Sequence, residues 1–380
     1  MKKHNLLKTG LLLLPVIALS GCNSSGSSSG TVVDSCKDLT TDGFSCEQML
    51  EDIVEHAVVP AVTSFKLKAQ ALATQTTAYC DALTAGTGED SALTAAQTAW
   101  QESMNVWQQL EVMQFGPLAT ERDEFYSWPL NDSCKVDEEV VFSLADGYDI
   151  TTGVTPARRG LDGLEYLLFN SDTGISCGPN NTTAALTAWN AKADDAKLAD
   201  RCSFAEKVAG DLVTRSLTLE SDYAQYNITS ASSLQGVADS ISDALFYIDK
   251  ELKDDKLVAV LPLSGSQSFN PDKLEFSFAS YAKEAVYNNA LGAKAIFTAN
   301  NHQGLAQYLI AAGQESLATE MLTELDTVIS NSSNIAINDT FKEILTDATV
   351  NDEQTCINSV SDSAVGDLEK LCALDNDVKA

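Results

Sequence analysis

Apolar side chains recur at intervals of three and four residues along most of this chain of 380 residues. One repeat runs through Met49, Leu50, Ile53, Val54, Ala57, Val58, Ala61, Phe65 and Leu72, and the next through Leu93, Ala96, Trp100, Met104, Trp107 and Leu110. This spacing places apolar side chains on one face of an α-helix. Strand-like runs are few, and residues 256–263 are the best of them. We therefore predict an all-α protein of two antiparallel helical bundles packed side by side.

Two stretches interrupt the helical pattern. Residues 118–157 and 257–272 lose the repeat and contain several prolines and glycines. Long irregular segments of this kind often carry function. Between and after them the pattern predicts further helices, at 161–169, 182–199, 203–227, 232–254, 273–298, 302–312, 314–330, 338–347 and 352–373. The first bundle is predicted to span residues 36–215, with the second at 216–380.

The N-terminus reads as an export signal. Three lysines precede a short apolar run, 11–19, which is too short to span a bilayer and ends in Leu-Ser-Gly-Cys. This arrangement resembles a bacterial lipoprotein signal, in which cleavage leaves Cys22 at the N-terminus to take a diacylglycerol. We expect residues 1–21 to be the signal and 22–35 to be a flexible Ser/Gly-rich tether. The predicted location is the cell envelope, as an outer-membrane lipoprotein facing the periplasm or the cell surface.

The net charge and the absence of several sequence motifs argue against some classes of function. The chain carries 54 Asp and Glu against 24 Lys and Arg, a net charge of −30. Such a surface disfavours nucleic acid as a partner. No nucleotide-binding glycine loop, no H-E-x-x-H zinc motif and no G-x-S-x-G nucleophile elbow occur in the sequence. Beyond the expected signal, the chain has two histidines, His56 and His302. The common hydrolytic mechanisms are therefore poorly supported.

The cysteines indicate disulfide bonds. Of the nine, Cys22 is set aside for lipid, and an even number remains, which in an exported chain predicts disulfides. No C-x-x-C pair favours a thiolate metal site instead. Spacing alone leaves the connectivity open, and we predict pairing between sequence neighbours: Cys36–Cys46, Cys80–Cys134, Cys177–Cys202 and Cys356–Cys372.

The stretch Gly160-Leu161-Asp162-Gly163-Leu164-Glu165 carries the most informative pair of charges. In one interpretation Asp162 is the N-cap of a helix and Glu165 completes a capping box. In the other, residues three apart share a helix face, where two carboxylates can hold a hard cation. The residues alone leave both interpretations open.

The same stretch resembles the Gly-x-His-x-x-Glu signature of the imelysin family. Further likenesses, in the same order along roughly 48–350, are Pro60 to Phe65, Trp100 to Trp107, Phe115-Gly116-Pro117, Arg122, Trp128-Pro129 and Glu275-Phe276-Ser277. The resemblance implies two helical bundles, with a site where the signature meets the Trp128 loop and the later helix. It also implies an exported or lipid-anchored envelope protein linked to iron uptake, in a family whose founding member was called a peptidase.

One departure from the family changes the expected chemistry. Asp162 stands where the signature has histidine, so a His/Glu metal pair is lost and peptidase chemistry is disfavoured. An Asp/Glu pair favours ferric iron, calcium or magnesium over zinc or copper. We predict iron or another divalent or trivalent cation as cofactor, and envelope iron-uptake proteins and the membrane as partners. The predicted metal ligands are Asp162, Glu165 and His56. The predicted ligand-binding residues are Arg122, Trp128, Arg159, Glu275 and Ser277.

Each of these residues has a plainer alternative. His56 suits a bundle or surface position, Trp128 suits packing between bundles, and Glu275 suits the first turn of a helix. The leading hypothesis is a lipoprotein that binds iron, another cation or an iron-containing ligand in a cleft between the bundles. The alternatives are a metallopeptidase and a structural or interaction lipoprotein with a decayed site.

Overall fold

The computed structural model describes residues 36, 39, 43–180, 182–228, 234–261, 270, 273–335, 341–346 and 367–379. Within these residues every regular element is a helix, which confirms the all-α class. The α-helices are α1 Cys46–Ile53, α2 Val59–Ala85, α3 Glu89–Glu111, α4 Arg122–Phe125, α5 Ser133–Phe142, α6 Gly160–Phe169, α7 Ala184–Asn190, α8 Asp194–Gln225, α9 Leu234–Tyr247, α10 Ala282–Thr298, α11 Leu305–Ala311, α12 Glu315–Asn334, α13 Phe341–Thr346 and α14 Asp367–Lys379. In the described ranges, none of these helices combines the length and apolarity that a membrane span requires.

Two segments coil more widely than an α-helix. Val54–Val58 and Ile248–Val258 are π-helical, and each continues an α-helix without a break. The first ends two residues before Pro60, whose ring nitrogen has no N–H to donate into a regular helical turn. The second includes the start of the run 256–263, so the best strand signal in the sequence is helical as far as Val258.

The long helices form two groups that share one core. In the first group, α2 packs against α3 and α8, and α6 packs against α8 and α3. In the second, α10 packs against α12, and α12 packs against α14, which also contacts the π-helical segment Ile248–Val258. Helix α10 also packs against α3 and so joins the groups. The predicted boundary at 215/216 lies inside α8, and the division into domains there stays a prediction.

Large aromatic side chains fill the centre of the core. Trp100, Trp107, Phe65 and Phe125 are fully buried. Trp107 and Phe125 lie with ring centroids 5.0 Å apart, and Phe65 contacts both of them. The heptad-spaced tryptophans of α3 are therefore core residues, as the helical periodicity predicts.

The disulfides confirm one predicted pair and correct two. Cys36 pairs with Cys46 as expected. The predicted pairs Cys80–Cys134 and Cys177–Cys202 are wrong, because the bonds are Cys80–Cys202 and Cys134–Cys177. Helices α2 and α8 lie side by side, and this brings Cys80 to Cys202 across a separation of 122 residues. Pairing between neighbours fails because tertiary packing, not chain distance, sets which thiols meet.

Some predictions lie outside the described residues. These are the signal at 1–21, the tether at 22–35 with the lipid site Cys22, and Cys356 in the fourth predicted disulfide. Cys372 is itself disulfide-bonded.

Candidate functional site

Helix α6 is positioned by a close approach that only glycine permits. Gly160 begins the helix with a φ of 83°, and a Cβ added there would lie 2.8 Å from the backbone oxygen of Phe125. From the other side, the indole Nε1 of Trp100 donates to the backbone oxygen of Leu161 at 2.8 Å. The signature stretch is thus held at both faces, inside the core rather than at the surface.

Asp162 and Glu165 do not form the capping box of the first interpretation. The N-cap of α6 is Arg159, which makes no side-chain capping bond, and Asp162 is the third helical residue. Glu165 is buried, and its Oε1 accepts from the backbone N–H groups of Phe278 (3.0 Å) and Ala279 (2.9 Å). The carboxylate therefore joins the signature helix to the segment that precedes α10.

The segment before α10 is irregular, and its backbone N–H groups bind Glu165. The sequence predicts a helix over 273–298, yet α10 begins only at Ala282. Phe276 and Ser280 have φ values of 60° and 54°, a region that most side chains avoid. The turn between them directs two backbone N–H groups to Glu165 instead of into a helix.

Asp162 is buried with half of its carboxyl group unpaired. One oxygen accepts from the hydroxyl of Ser127. The other, Oδ1, has no hydrogen-bond partner among the described residues. Burial raises the pKa of Asp162 to about 7, although the Ser127 hydroxyl and the nearby backbone N–H groups of Asp162, Ser127 and Gly163 act to lower it. An unpaired buried oxygen of this kind costs free energy unless a proton or a ligand occupies it.

Glu275 is the third buried carboxyl group of this region. Its Oε1 accepts from the Tyr126 hydroxyl at 2.7 Å, and its Oε2 lies 3.1 Å from Lys256 Nζ without the alignment of a hydrogen bond. Burial raises the pKa of Glu275 to about 7, against the lowering effect of Lys256. Burial likewise raises the pKa of Glu165 to about 7, and the charges of Asp162 and Glu275 add to that rise. We call Asp162, Glu165 and Glu275 the carboxyl cluster.

Lys256 lies beside this cluster, 3.1 Å from Glu275, and sequence reasoning missed it. Its ammonium group is buried and donates to Gln108 Oε1 (2.6 Å), Glu111 Oε2 (3.0 Å) and Asn289 Oδ1 (3.1 Å). It also lies 5.9 Å from the centre of the Trp128 ring. No local signal marks it, because Lys256 ends a run of charged residues that reads as a solvated helix face.

The predicted arginines are engaged in ion pairs. Arg122 contacts Glu111 at 3.0 Å and Glu251 at 3.2 Å. Burial acts to raise the pKa of Glu111, but Lys256 and Arg122 outweigh it and the pKa is lowered. Glu111 is therefore ionised at neutral pH, whereas the three groups of the carboxyl cluster titrate near neutrality.

Arg159 points to a different set of partners. It pairs with Glu124 and with Asp211 (3.2 Å), and it donates to the backbone oxygen of Ile150 at 2.9 Å. Ser277 is exposed, and its backbone oxygen accepts from Lys342 Nζ at 3.3 Å. Neither residue has a side-chain contact with the carboxyl cluster among the described interactions.

The two predicted kinds of metal ligand do not come together. A metal ion needs several His, Cys, Asp or Glu side chains close together. Among the described residues, three such side chains have ligand atoms within 4.8 Å of one another, and they are Asp52, His56 and His302. Asp162 and Glu165 belong to no such group there, so the carboxyl cluster would have to rotate side chains to enclose one ion. His56 lies instead beside His302.

Comparison with known proteins gives a consistent family and fold. The family model described as Imelysin, a peptidase family, matches residues 58–365. An imelysin-like protein from Psychrobacter arcticum 273-4 superposes with a TM-score of 0.63 at 16% identity, covering 89% of this chain and 95% of that one. An iron-regulated protein A precursor from Parabacteroides distasonis ATCC 8503 gives 0.56 at 15% identity, covering 87% and 94%. No curated protein matches the chain. At these identities the two structures establish the shared fold.

Proposed function

Because the chain belongs to the imelysin family, we propose that it is a lipid-anchored envelope protein that binds iron, or another hard cation, at the carboxyl cluster. The observation that carries this proposal is the burial of Asp162, Glu165 and Glu275 together, each with a pKa raised to about 7. Buried acids that lack full charge compensation hold protons, and a cation can take the place of those protons.

The chemistry of the donors favours a hard ion. Three carboxyl groups offer oxygen ligands only, which suits iron in its ferric form, calcium or magnesium better than zinc or copper. The description of one structural relative as iron-regulated supports iron as the first candidate for this chain.

The protein's own residues would control how the cation is bound. Lys256 and Arg122 keep Glu111 ionised, and Lys256 adds a fixed positive charge beside Glu275. This charge disfavours a cation, so binding requires that the carboxyl cluster lose more than one proton. Affinity should therefore rise with pH through neutrality, because ionisation of the cluster precedes coordination.

We propose binding rather than peptide cleavage. Glu165, the acid of the signature, is bound by two backbone N–H groups, and Asp162 is bound by Ser127. Asp162 also stands where the signature has histidine, so the His/Glu pair that the chemistry of a metallopeptidase would use is missing.

Calorimetric titration tests the proposal. Ferric citrate, calcium, magnesium and zinc are titrated into the protein at pH 6 and pH 8, each in two buffers of different ionisation enthalpy. We expect tighter binding of a hard cation at pH 8, with release of protons to the buffer. Glu165→Gln and Asp162→Asn should each weaken that binding by about tenfold or more.

The matched control is Glu102→Gln, which removes one negative charge from an exposed ion pair with Lys68. It should leave affinity unchanged. If the cluster variants bind every hard cation as tightly as the unaltered protein does, the carboxyl cluster is not the site.

A further inference from the structure

Two histidines from distant parts of the chain meet face to face. His56 lies in the π-helical segment Val54–Val58, and His302 follows α10. Their ring centroids are 3.6 Å apart with planes at 11°. Asp52 lies one turn before His56, and its Oδ1 is 3.9 Å from His56 Nε2. The three ligand atoms all lie within 4.8 Å of one another.

The backbone has an uncommon conformation next to each of the two histidines. Ala299, Asn300 and Asn301 have φ values of 42°, 49° and 76° in succession, a left-handed conformation that costs free energy in non-glycine residues. Asn300 Nδ2 donates to the backbone oxygen of His56 at 2.6 Å. Short π-helical segments often mark functional positions, and here one carries His56. The two segments are thus tied together where the imidazoles meet.

The carboxylate of Asp52 is also oriented. Its Oδ2 accepts from the backbone N–H of Gln303 at 2.9 Å, and its Oδ1 accepts from Gln48 Nε2 at 2.8 Å. Each carboxylate oxygen has two lone pairs, so each keeps one for an ion. Such supporting hydrogen bonds are typical of metal ligands.

We propose that Asp52, His56 and His302 form a binding site for a divalent transition metal, separate from the carboxyl cluster. Two imidazoles and one carboxylate are a donor set that suits zinc, and also copper or nickel, better than a hard ion. Two nitrogens bound to one tetrahedral ion lie about 3.4 Å apart. The stacked rings are nearly parallel, so binding would turn them until one nitrogen of each faces the ion.

Access to the site fits a metal that arrives from solvent. Asp52 is buried, the side chain of His56 is 30% exposed and His302 is exposed. Three protein ligands with one open side leave a coordination position for water or an external ligand. The site is therefore of the open kind, suited to exchange of the ion.

Nuclear magnetic resonance of ¹⁵N-histidine-labelled protein gives a direct test. The chain contains three histidines, so the spectrum shows the resonances of at most three imidazole rings. One of them, His4, belongs to the expected signal peptide. On titration with zinc chloride we expect the signals of His56 and His302 to shift together and to saturate at one equivalent. A shift of one ring alone, or of neither, would overturn the proposal.

Calorimetry with zinc chloride separates this site from the carboxyl cluster. His302→Gln and His56→Gln should each weaken zinc binding about 100-fold, and Gln48→Ala should weaken it about tenfold through Asp52. The control Glu165→Gln should leave zinc binding unchanged. His302 is exposed, so its variant should keep the unaltered melting temperature.

The outcomes distinguish the two proposals. Loss of hard-cation binding in Glu165→Gln with zinc binding intact supports both sites. Unchanged zinc affinity in both histidine variants means that the imidazoles only pack against each other, and it overturns this inference without affecting the carboxyl cluster.

Discussion

Glu165 accepts two backbone hydrogen bonds and still has its pKa raised to about 7, because burial outweighs those donors. In the unfolded chain the same carboxyl group ionises near its ordinary value of about 4.3. Between these two pH values the folded protein holds a proton that the unfolded chain has lost. The same applies to Asp162 and Glu275. Protonation of the cluster therefore stabilises the fold, and this contribution is lost as pH rises toward 7.

We predict that Glu165→Gln changes the pH dependence of stability. Glutamine resembles the protonated acid and can accept from the same two N–H groups, so the variant should gain stability relative to the unaltered protein as pH rises from about 4.5 to 7. The gain is at most about 1.4 kcal/mol per pH unit. Urea unfolding at half-unit intervals measures it, with Glu102→Gln as the surface control. Parallel curves for Glu165→Gln and the unaltered protein would contradict the raised pKa.

Gly160 supplies a second prediction at the scale of single residues. In Gly160→Ala the new Cβ meets the Phe125 backbone oxygen at 2.8 Å, in addition to the cost of a positive φ. Gly153→Ala is a matched control, since its φ of 76° is similar and nothing lies within 4 Å of the added Cβ. We expect losses of about 3 kcal/mol at Gly160 and about 1 kcal/mol at Gly153. Equal losses in urea unfolding would mean that the close approach to Phe125 has no effect.

At the scale of elements, the disulfide Cys80–Cys202 links the two longest helices, α2 and α8. Lys66 on α2 also pairs with Glu220 on α8 at 2.7 Å, so the two helices are connected by charge as well as by the covalent bond. The bond closes a long loop of chain, which restricts the unfolded state most strongly. This helix pair therefore supports the first group against which α6 packs.

Removing the Cys80–Cys202 disulfide should destabilise the protein more than removing the Cys36–Cys46 disulfide. Cys80→Ala with Cys202→Ala is expected to lower the free energy of unfolding by about 4.5 kcal/mol from chain entropy alone, because the intact Cys134–Cys177 bond shortens the loop that Cys80–Cys202 closes. Cys36→Ala with Cys46→Ala is expected to lower it by about 2.7 kcal/mol. Urea unfolding without reductant measures both. Peptide mapping of the unreduced protein checks the connectivity, and a Cys80–Cys134 peptide would contradict the described helix packing.

At the scale of the whole molecule, the chain combines a net charge of −30 with the expected lipid at Cys22. An acidic surface is repelled by anionic headgroups, so attachment to a membrane would depend on the acyl chains rather than on the surface of the helices. We therefore propose that the lipid at Cys22 alone holds the protein at the membrane.

Replacing Cys22 with Ser should move the protein from the membrane fraction to the soluble fraction of the cell envelope. Fractionation followed by blotting measures the change, and Cys36→Ser with Cys46→Ser serves as a control that alters cysteines but leaves the anchor. Retention of the Cys22→Ser protein in membranes would place the attachment elsewhere.

Local spacing determined a large part of this protein from sequence alone. The all-α class and the core positions of Trp100 and Trp107 follow from patterns within one or two helical turns. The resemblance to the imelysin family rests on several short motifs that occur in the same order along roughly 48–350. The Cys36–Cys46 disulfide was also predictable, because a short loop brings its ends together at little entropic cost.

Only the tertiary structure decided which distant groups meet. Spacing fixes the face of a helix on which Glu165, Lys256 or His56 lies, but it says nothing of what packs opposite that face. Local spacing allowed a capping box for Asp162 and Glu165, yet the turn before α10 supplies Glu165 with two backbone donors instead. The burial that raises the pKa values, the pairing of Cys80 with Cys202 and the contact of His56 with His302 all arise between segments far apart in sequence. Such contacts depend on the packing of whole helices, and no local pattern of residues encodes them.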